Sequence, residues 1–307
     1  MDILTALDSN TNYSSRKLQM IISAWVMSKP FQRKSKIATD NGDVSEDDYT
    51  KQSIYSLLYA IYRTVGDVSD GKGQTYEFTF NTWGYAWPDA WLEAPNSKTD
   101  PQIFGRNAYS GLFHFPEAQA YVAEREGKVS VVEMGCGTGA GAHHVCSHVL
   151  PECTYEAVDM QMAGIATCRR KFVPELNGRL KAIQADATQL DIADASRDFV
   201  VVNETHVTEY VGIVSDEDKR FLGTAKRILK PGGYLVWGNA IPDATWQPCF
   251  DYLESIGMHV CEVCDVTPEA VIARDRDLLR VETYVKETLD RFFGFKIPLI
   301  GKGRRFE

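Results

Sequence analysis

What this sequence lacks narrows it first. No apolar run approaches the roughly 20 residues that a membrane-crossing helix needs, so no membrane span is expected. The first residues, MDILTALDSN, hold no basic segment followed by an apolar one, so no secretory leader is expected. Positive charge is in deficit. The 33 Lys and Arg face 42 Asp and Glu, the net charge is −9 and the pI about 5.3, which argues against a general nucleic-acid-binding surface. The short basic end with Lys302, Arg304 and Arg305 reads as a solvated tail. Cysteines number seven, an odd and scattered set, which suits a reducing, cytoplasmic setting better than a disulfide framework. Cys261-x-x-Cys264 has no second such pair and reads as packing. His144 and His148 share one helix face but lack an acidic or cysteine partner, so they read as partly exposed helix residues and no metal is expected.

What is present is enough apolar side chain for a sizeable core: 44% of 307 residues. That length fits one large domain or one domain with an added lid. The organising stretch runs from Val129 to Asp159. Val129, Val131, Val132 and Met134 read as a buried strand. Gly135, Gly137, Gly139 and Gly141 follow at once, and then Ala142, Val145, Cys146 and Val149 mark one face of a helix. A second strand, Tyr155 to Val158, ends in Asp159. Strand, glycine turn, helix, strand, acid is one half of a doubly wound nucleotide-binding sheet. Glycines let the backbone turn sharply and approach a ligand. The helix that follows begins with free N–H groups. An acid at the tip of the second strand can accept from both hydroxyls of a ribose. Gly135-x-Gly137-x-x-Ala140 would by itself also fit a dinucleotide site. Glu133 stands two residues before the first glycine, where a ligand's ammonium group could lie.

The spelling Glu133-x-Gly135-Cys-Gly137-Thr-Gly139 resembles the first motif of the class I S-adenosylmethionine-dependent methyltransferases. The resemblance extends over roughly Val129 to Asp265. Ala185-Asp186-Ala187 follows a third strand (Leu180 to Gln184), in the place that the family sets beside adenine. Phe199 to Val202 is a fourth strand ending in Asn203-Glu204, and Leu229-Lys-Pro-Gly-Gly-Tyr234 leads into a fifth, a turn frequent in the family. The resemblance implies a Rossmann-like α/β fold, a doubly wound and mostly parallel seven-stranded sheet. It also implies S-adenosyl-L-methionine as cofactor, held by Glu133, Gly135, Gly137, Asp159, Met160, Asp186, Ala187 and Asn203. Asp186 reads equally as a turn residue and Asn203 as a strand cap. His259 to Val266 is expected as a sixth strand, and Phe293 to Leu299 as a seventh or as pocket wall.

Outside this core, residues 1–125 are expected to form a helical cap with an aromatic lid, 126–266 the cofactor-binding core, and 267–307 a C-terminal helix and pocket extension. Arg16 to Val26 can form a short helix. Ile54, Leu57, Leu58, Ile61 and Val65 give a clear amphipathic one. Tyr76 to Trp91 carries three of the six tryptophans and reads as a lid over a pocket or as a packed loop. Asn81-Thr-Trp83-Gly84-Tyr85 resembles a phrase of the sterol-, tocopherol- and phthiotriolone-type methyltransferases, which points to Trp83 and Tyr85 as acceptor contacts. The step Asp265-Val-Thr-Pro268 recurs in that branch, with Thr267 as N-cap and Pro268 as first helical residue.

Methyl transfer from a sulfonium is an in-line displacement, so alignment and water exclusion do most of the work. A base is needed only where the acceptor must lose a proton. His206 leaves the fourth strand at the edge where ligands bind in such sheets, and is the candidate base. Glu204 and Glu209 are candidates to orient it or to meet a cationic acceptor. The expected reaction is O-methylation of a small, apolar or aromatic metabolite, as in natural product biosynthesis, with carbon or nitrogen acceptors as alternatives. A nicotinamide-dependent oxidoreductase would need a relay such as Tyr-x-x-x-Lys, and none follows Asn203. A non-catalytic cofactor-binding protein would carry the same glycine loop. The sequence leaves the oligomeric state open.

Overall fold

The computed structural model describes residues 68–69, 75–76, 80, 82, 84–89, 91, 100, 102–205, 213–241 and 243–278. Contacts divide the chain into two units, Thr79–Asp275 and Met1–Phe78 with Arg276–Glu307. The described residues of the second unit include a two-residue antiparallel ladder of Val68–Ser69 with Thr75–Tyr76. The expected helices at Arg16 to Val26 and Ile54 to Val65 lie outside the described residues.

The larger unit is built on five parallel strands: β1 (Ser130–Met134), β2 (Thr154–Asp159), β3 (Leu180–Gln184), β4 (Arg197–Asn203) and β5 (Leu229–Gly238), in the order β3-β2-β1-β4-β5. Register is continuous across the middle, where Val131 pairs with Tyr155 on one side and Phe199 on the other. The strand order reverses between β1 and β4. In an open parallel sheet the crevice outside the carboxyl ends at such a reversal is the ligand site.

Both faces of the sheet are covered, which is why its strands read as nearly continuous apolar runs. Helices α1 (Ile103–Gly111), α2 (Pro116–Glu124), α3 (Ala140–His144) and α4 (Met162–Lys171) supply one side. There Val131, Tyr155, Phe199 and Val201 pack with Tyr109, Leu112, Phe113, Tyr121 and Ile165. Helices α5 (Asp216–Ile228) and α6 (Asp243–Ser255) supply the other. There Val132, Met134, Val158, Val200 and Val202 pack with Phe221, Leu222, Ala225, Ile228 and Leu253. Each fully buried valine contributes about 1.5–3 kcal/mol of transfer free energy. A last helix, residues 267–278, opens with the Asp265 carboxylate accepting from the Thr267 amide at 2.9 Å.

Several expectations need correction. The sheet has five strands among the described residues rather than seven. Residues 259–266 form no strand, and all but Val266 are exposed. Alternation there sets Val260, Glu262 and Cys264 on one side and His259, Cys261 and Val263 on the other, so neither side is apolar enough to bury. Phe293 to Leu299 lies outside the described residues. Cys261 and Cys264 are exposed rather than packed. The helix after the glycines does not stay α-helical: Val145–Val149 is a π turn, closed by the Leu150 amide donating to the Val145 carbonyl at 2.7 Å. His144 is buried rather than partly exposed. Its Nε2 lies 2.9 Å from Ser110 Oγ, and burial together with the nearby Arg106 cation pushes its pKa down to about 3.

Candidate active site at the strand-order reversal

The site begins where β1 ends. Gly135, Gly137 and Gly139 have φ of 93°, 56° and 81°, a left-handed run that only glycine adopts without strain. Space matters as much as torsion. A Cβ on Gly135 would lie 2.0 Å from Thr205 Cγ2. Thr205, just past the end of β4, donates from Oγ1 to the Gly135 carbonyl at 2.9 Å. The glycine bend and the β4 exit are therefore tied directly together.

Asp159 ends β2 beside them. Its Oδ2 accepts from the Gly137 amide at 2.8 Å and its Oδ1 from the Gln161 amide at 2.7 Å. Each carboxylate oxygen can accept twice, so capacity remains on both for a ligand's hydroxyls. Burial pushes its pKa up to about 6, with the Gln161 and Gly137 amides pulling the other way.

Glu133 faces the same side as Val131 and is 0% exposed. The Tyr109 hydroxyl of α1 donates to its Oε1 at 2.9 Å and the Tyr155 hydroxyl of β2 to its Oε2 at 3.1 Å. The carboxyl thus lies beneath the loop between two phenols. Burial pushes its pKa up to about 7, against the two hydroxyls that favour the charged form. Asn203, the last residue of β4, is buried, with its side chain beside the Tyr109 hydroxyl.

The remaining candidates spread along the neighbouring strand ends. Met160 follows Asp159 with 47% exposure, and its carbonyl accepts from Gln184 Nε2 at 3.3 Å. Asp186 follows β3 and caps a short 3-10 turn, Ala187–Gln189, its Oδ1 accepting from the Thr188 amide and hydroxyl at 2.8 Å each. Ala187 is half-buried in that turn.

Glu204 turns away from β4 in a left-handed conformation, φ 48°. Its carboxylate accepts from the Thr82 hydroxyl. Glu204 is exposed at the surface, and partial desolvation of its carboxyl raises its pKa, with the Thr82 hydroxyl and the Gly84 amide pulling down. This joins the end of β4 to the aromatic stretch. Tyr85 lies next to Gly111, and its carbonyl accepts from Asn107 Nδ2 at 3.1 Å. Its ring meets Trp91 edge-on, and Trp91 stacks on His114 with centroids 4.5 Å apart. The Ala86 amide donates to the Glu269 carbonyl at 3.0 Å, so the stretch also reaches the last helix. Trp83, His206 and Glu209 lie outside the described residues.

Sequence reasoning missed Tyr109, Tyr155 and Thr205. Tyr155 carried one signal, its place at the start of the strand that ends in Asp159, on the same face as Val131 and Glu133. Tyr109 carried none, being an aromatic residue in an ordinary amphipathic helix. Among the described residues no cluster of His, Cys, Asp or Glu could hold a metal ion, and no helix is long and apolar enough to cross a membrane.

A family model described as a methyltransferase domain matches residues 132–237. The fatty-acid O-methyltransferase of Mycolicibacterium smegmatis is 34% identical over 168 residues, 54% of this chain and 54% of that protein. This chain thus spans about half the length of that relative. The probable phthiotriol/phenolphthiotriol dimycocerosates methyltransferase 2 of Mycobacterium ulcerans is 30% identical over 220 residues, 70% of this chain and 77% of that protein. Among solved structures, that of the [4+2]-cyclase SpnF aligns with 68% of this chain and 74% of its own at 18% identity, TM-score 0.48.

Proposed function

Because this chain belongs to the class I S-adenosylmethionine-dependent methyltransferases, we propose that it moves the cofactor's methyl group to an oxygen of a small, lipid-like acceptor. The observation that carries the reading is the left-handed glycine bend tied to Asp159 at the reversal of strand order. These groups fit the cofactor's chemistry. A neutral sugar finds acceptor capacity on Asp159, and a cationic amino-acid end finds the carboxylates of Asp159 and Glu133 close by. Asp186, Ala187 and Met160 are assigned to the adenine and Asn203 to the methionine end, as the motif resemblance implies. Bound there, the cofactor supplies an electrophilic methyl group on a sulfonium.

The chain's own work is then alignment and exclusion of water. Asn203 and Glu133 fix the cationic end, and Thr205 keeps the loop closed on β4. Tyr85, Trp83 and Glu209 are assigned to contact the acceptor, and Glu204 anchors the aromatic stretch through Thr82. His206 takes the proton where the acceptor is a hydroxyl. A carboxylic acid acceptor is already ionised at neutral pH and needs no base. The lipid-like acceptor is supported by the fatty-acid and dimycocerosate names of the two relatives.

The test is an incubation of the full chain with methyl-labelled S-adenosylmethionine and, separately, a long-chain fatty acid, a long-chain secondary alcohol and a phenol. Mass spectrometry is expected to find a methyl ester or ether with at least one of them. His206→Ala should abolish ether formation and spare ester formation. Cofactor that fails to bind in calorimetry, or a methyl group found on carbon or nitrogen, would overturn the proposal.

A further inference from the structure

We propose that Tyr109 is a positioning residue for the cationic end of the cofactor, holding Glu133 of β1 beside Asn203 of β4 and against α3. The inference rests on the methyl-transfer reading. Tyr109 lies in α1, outside the residues 132–237 that the methyltransferase domain covers.

Its contacts reach all three elements around the strand-order reversal. The hydroxyl donates to Glu133 Oε1 at 2.9 Å, and the Asn203 side chain lies beside it. A phenol has one proton to give, so with that proton on Glu133 it is the amide N–H of Asn203 that turns toward the phenol oxygen. This orients the amide, and its oxygen is left facing Gly238, where a Cβ would approach it to 3.1 Å. The ring lies against α3, for a Cβ on Gly141 would come within 1.9 Å of Tyr109 Cζ. Phe80 backs the ring at a centroid distance of 5.9 Å. The tyrosine is 7% exposed, so its hydroxyl has no exchange with bulk water to fall back on.

The groups facing Glu133 are Tyr109 from α1, Tyr155 and Asp159 from β2, Cys136 from the loop, Cys146 from the π turn and Cys168 from α4. None of them is a cation. Among the described residues two hydroxyls stabilise the carboxylate and no ion pair reaches it, so a cationic ligand would bring it a counter-charge. Binding then favours the ionised form, and affinity climbs as pH rises through the free protein's value of about 7. Removing a hydrogen bond to the charged form raises that value further.

The experiment is calorimetric titration of the full chain with S-adenosylmethionine from about pH 5.5 to about 8.5, a window that spans both raised carboxyls. Wild-type affinity is expected to rise through pH 7 and to fall again above about 8, where the ligand's own α-amino group loses its proton. Tyr109→Phe keeps the ring against Gly141 and loses only the hydroxyl. Its affinity at neutral pH should fall about tenfold, and the midpoint should move to higher pH. Glu133→Gln should flatten the profile above Asp159's value of about 6. A folded Tyr109→Phe variant with wild-type affinity and midpoint would overturn the role of Tyr109 alone. If Tyr109→Phe does not fold, Glu133→Gln carries the test, and an unchanged slope in that variant overturns the proposal. A wild-type chain that binds no S-adenosylmethionine at any pH would overturn the methyl-transfer reading, and this one with it.

Discussion

At the scale of single residues, three carboxyls show how environment sets charge. Glu133 and Asp159 are held high, at about 7 and about 6, because burial outweighs their hydrogen bonds. Asp198, at the opposite end of β4, goes the other way. Burial pushes it up, but the Ser130 hydroxyl, the Lys230 ammonium, the Ser130 amide and the Tyr121 hydroxyl together hold it down to about 2. It thereby links β1, β4, β5 and α2, with Ser130 Oγ at 2.6 Å, Lys230 Nζ at 2.9 Å and Tyr121 at 2.9 Å. A carboxyl whose folded value lies below its ordinary 3.8 contributes stability that is complete above that value and is lost as pH falls through about 2. Asp198→Asn should therefore melt roughly 5 °C lower at neutral pH. The gap should close as both proteins are melted at successively lower pH between about 4 and 2. A gap that persists undiminished in acid would show that Asp198 acts by packing and not by charge. Residues with local roles were legible in the sequence. Gly135 is one, because a left-handed bend leaves a glycine in the text, and Asp159 is another, because it ends a strand. Tyr109 was not, since its partner Glu133 is 24 positions away and nothing nearby marks it.

At the scale of elements, α5 shows what periodicity supplies and what it omits. The spacing of the apolar positions Phe221, Leu222, Ala225 and Ile228 marks a helix. Its true start is set by a capping box, in which Ser215 accepts from the Asp218 amide at 3.1 Å and Asp218 accepts from the Ser215 amide at 2.7 Å. Three acidic residues in the first turn and Lys226 and Arg227 in the last complement the helix dipole. Ser215→Ala is expected to cost about 1 kcal/mol, read as a lower midpoint in urea with an unchanged slope. A midpoint equal to that of the wild type would mean that the first turn is held by other contacts. Residues 259–266 are the opposite case. Their composition reads as strand, yet strand propensity expresses fit to a half-buried surface, and these side chains find none among the described residues.

At the scale of the whole molecule, the larger unit is a sheet packed on both faces, with its ligand crevice at the strand-order reversal. Folding and cofactor binding are then linked. S-adenosylmethionine at about 100 times its dissociation constant should add roughly 2.7 kcal/mol, or about 5–10 °C in a thermal scan of a unit of this size. NADH at the same concentration should add nothing. A shift with NADH and none with S-adenosylmethionine would favour the oxidoreductase alternative.

The sequence by itself determined the succession of strand, glycine bend, helix, strand and acid, and with it the family. Those features follow from backbone torsion and side-chain period, which act between near neighbours. Only the tertiary structure decided that Glu133 is sealed between two phenols and that Thr205 closes on Gly135. It also set Asp198 and Glu133, both acids on central strands, at opposite ends of the carboxyl range. Burial and the choice of hydrogen-bond partner are set by groups far away along the chain.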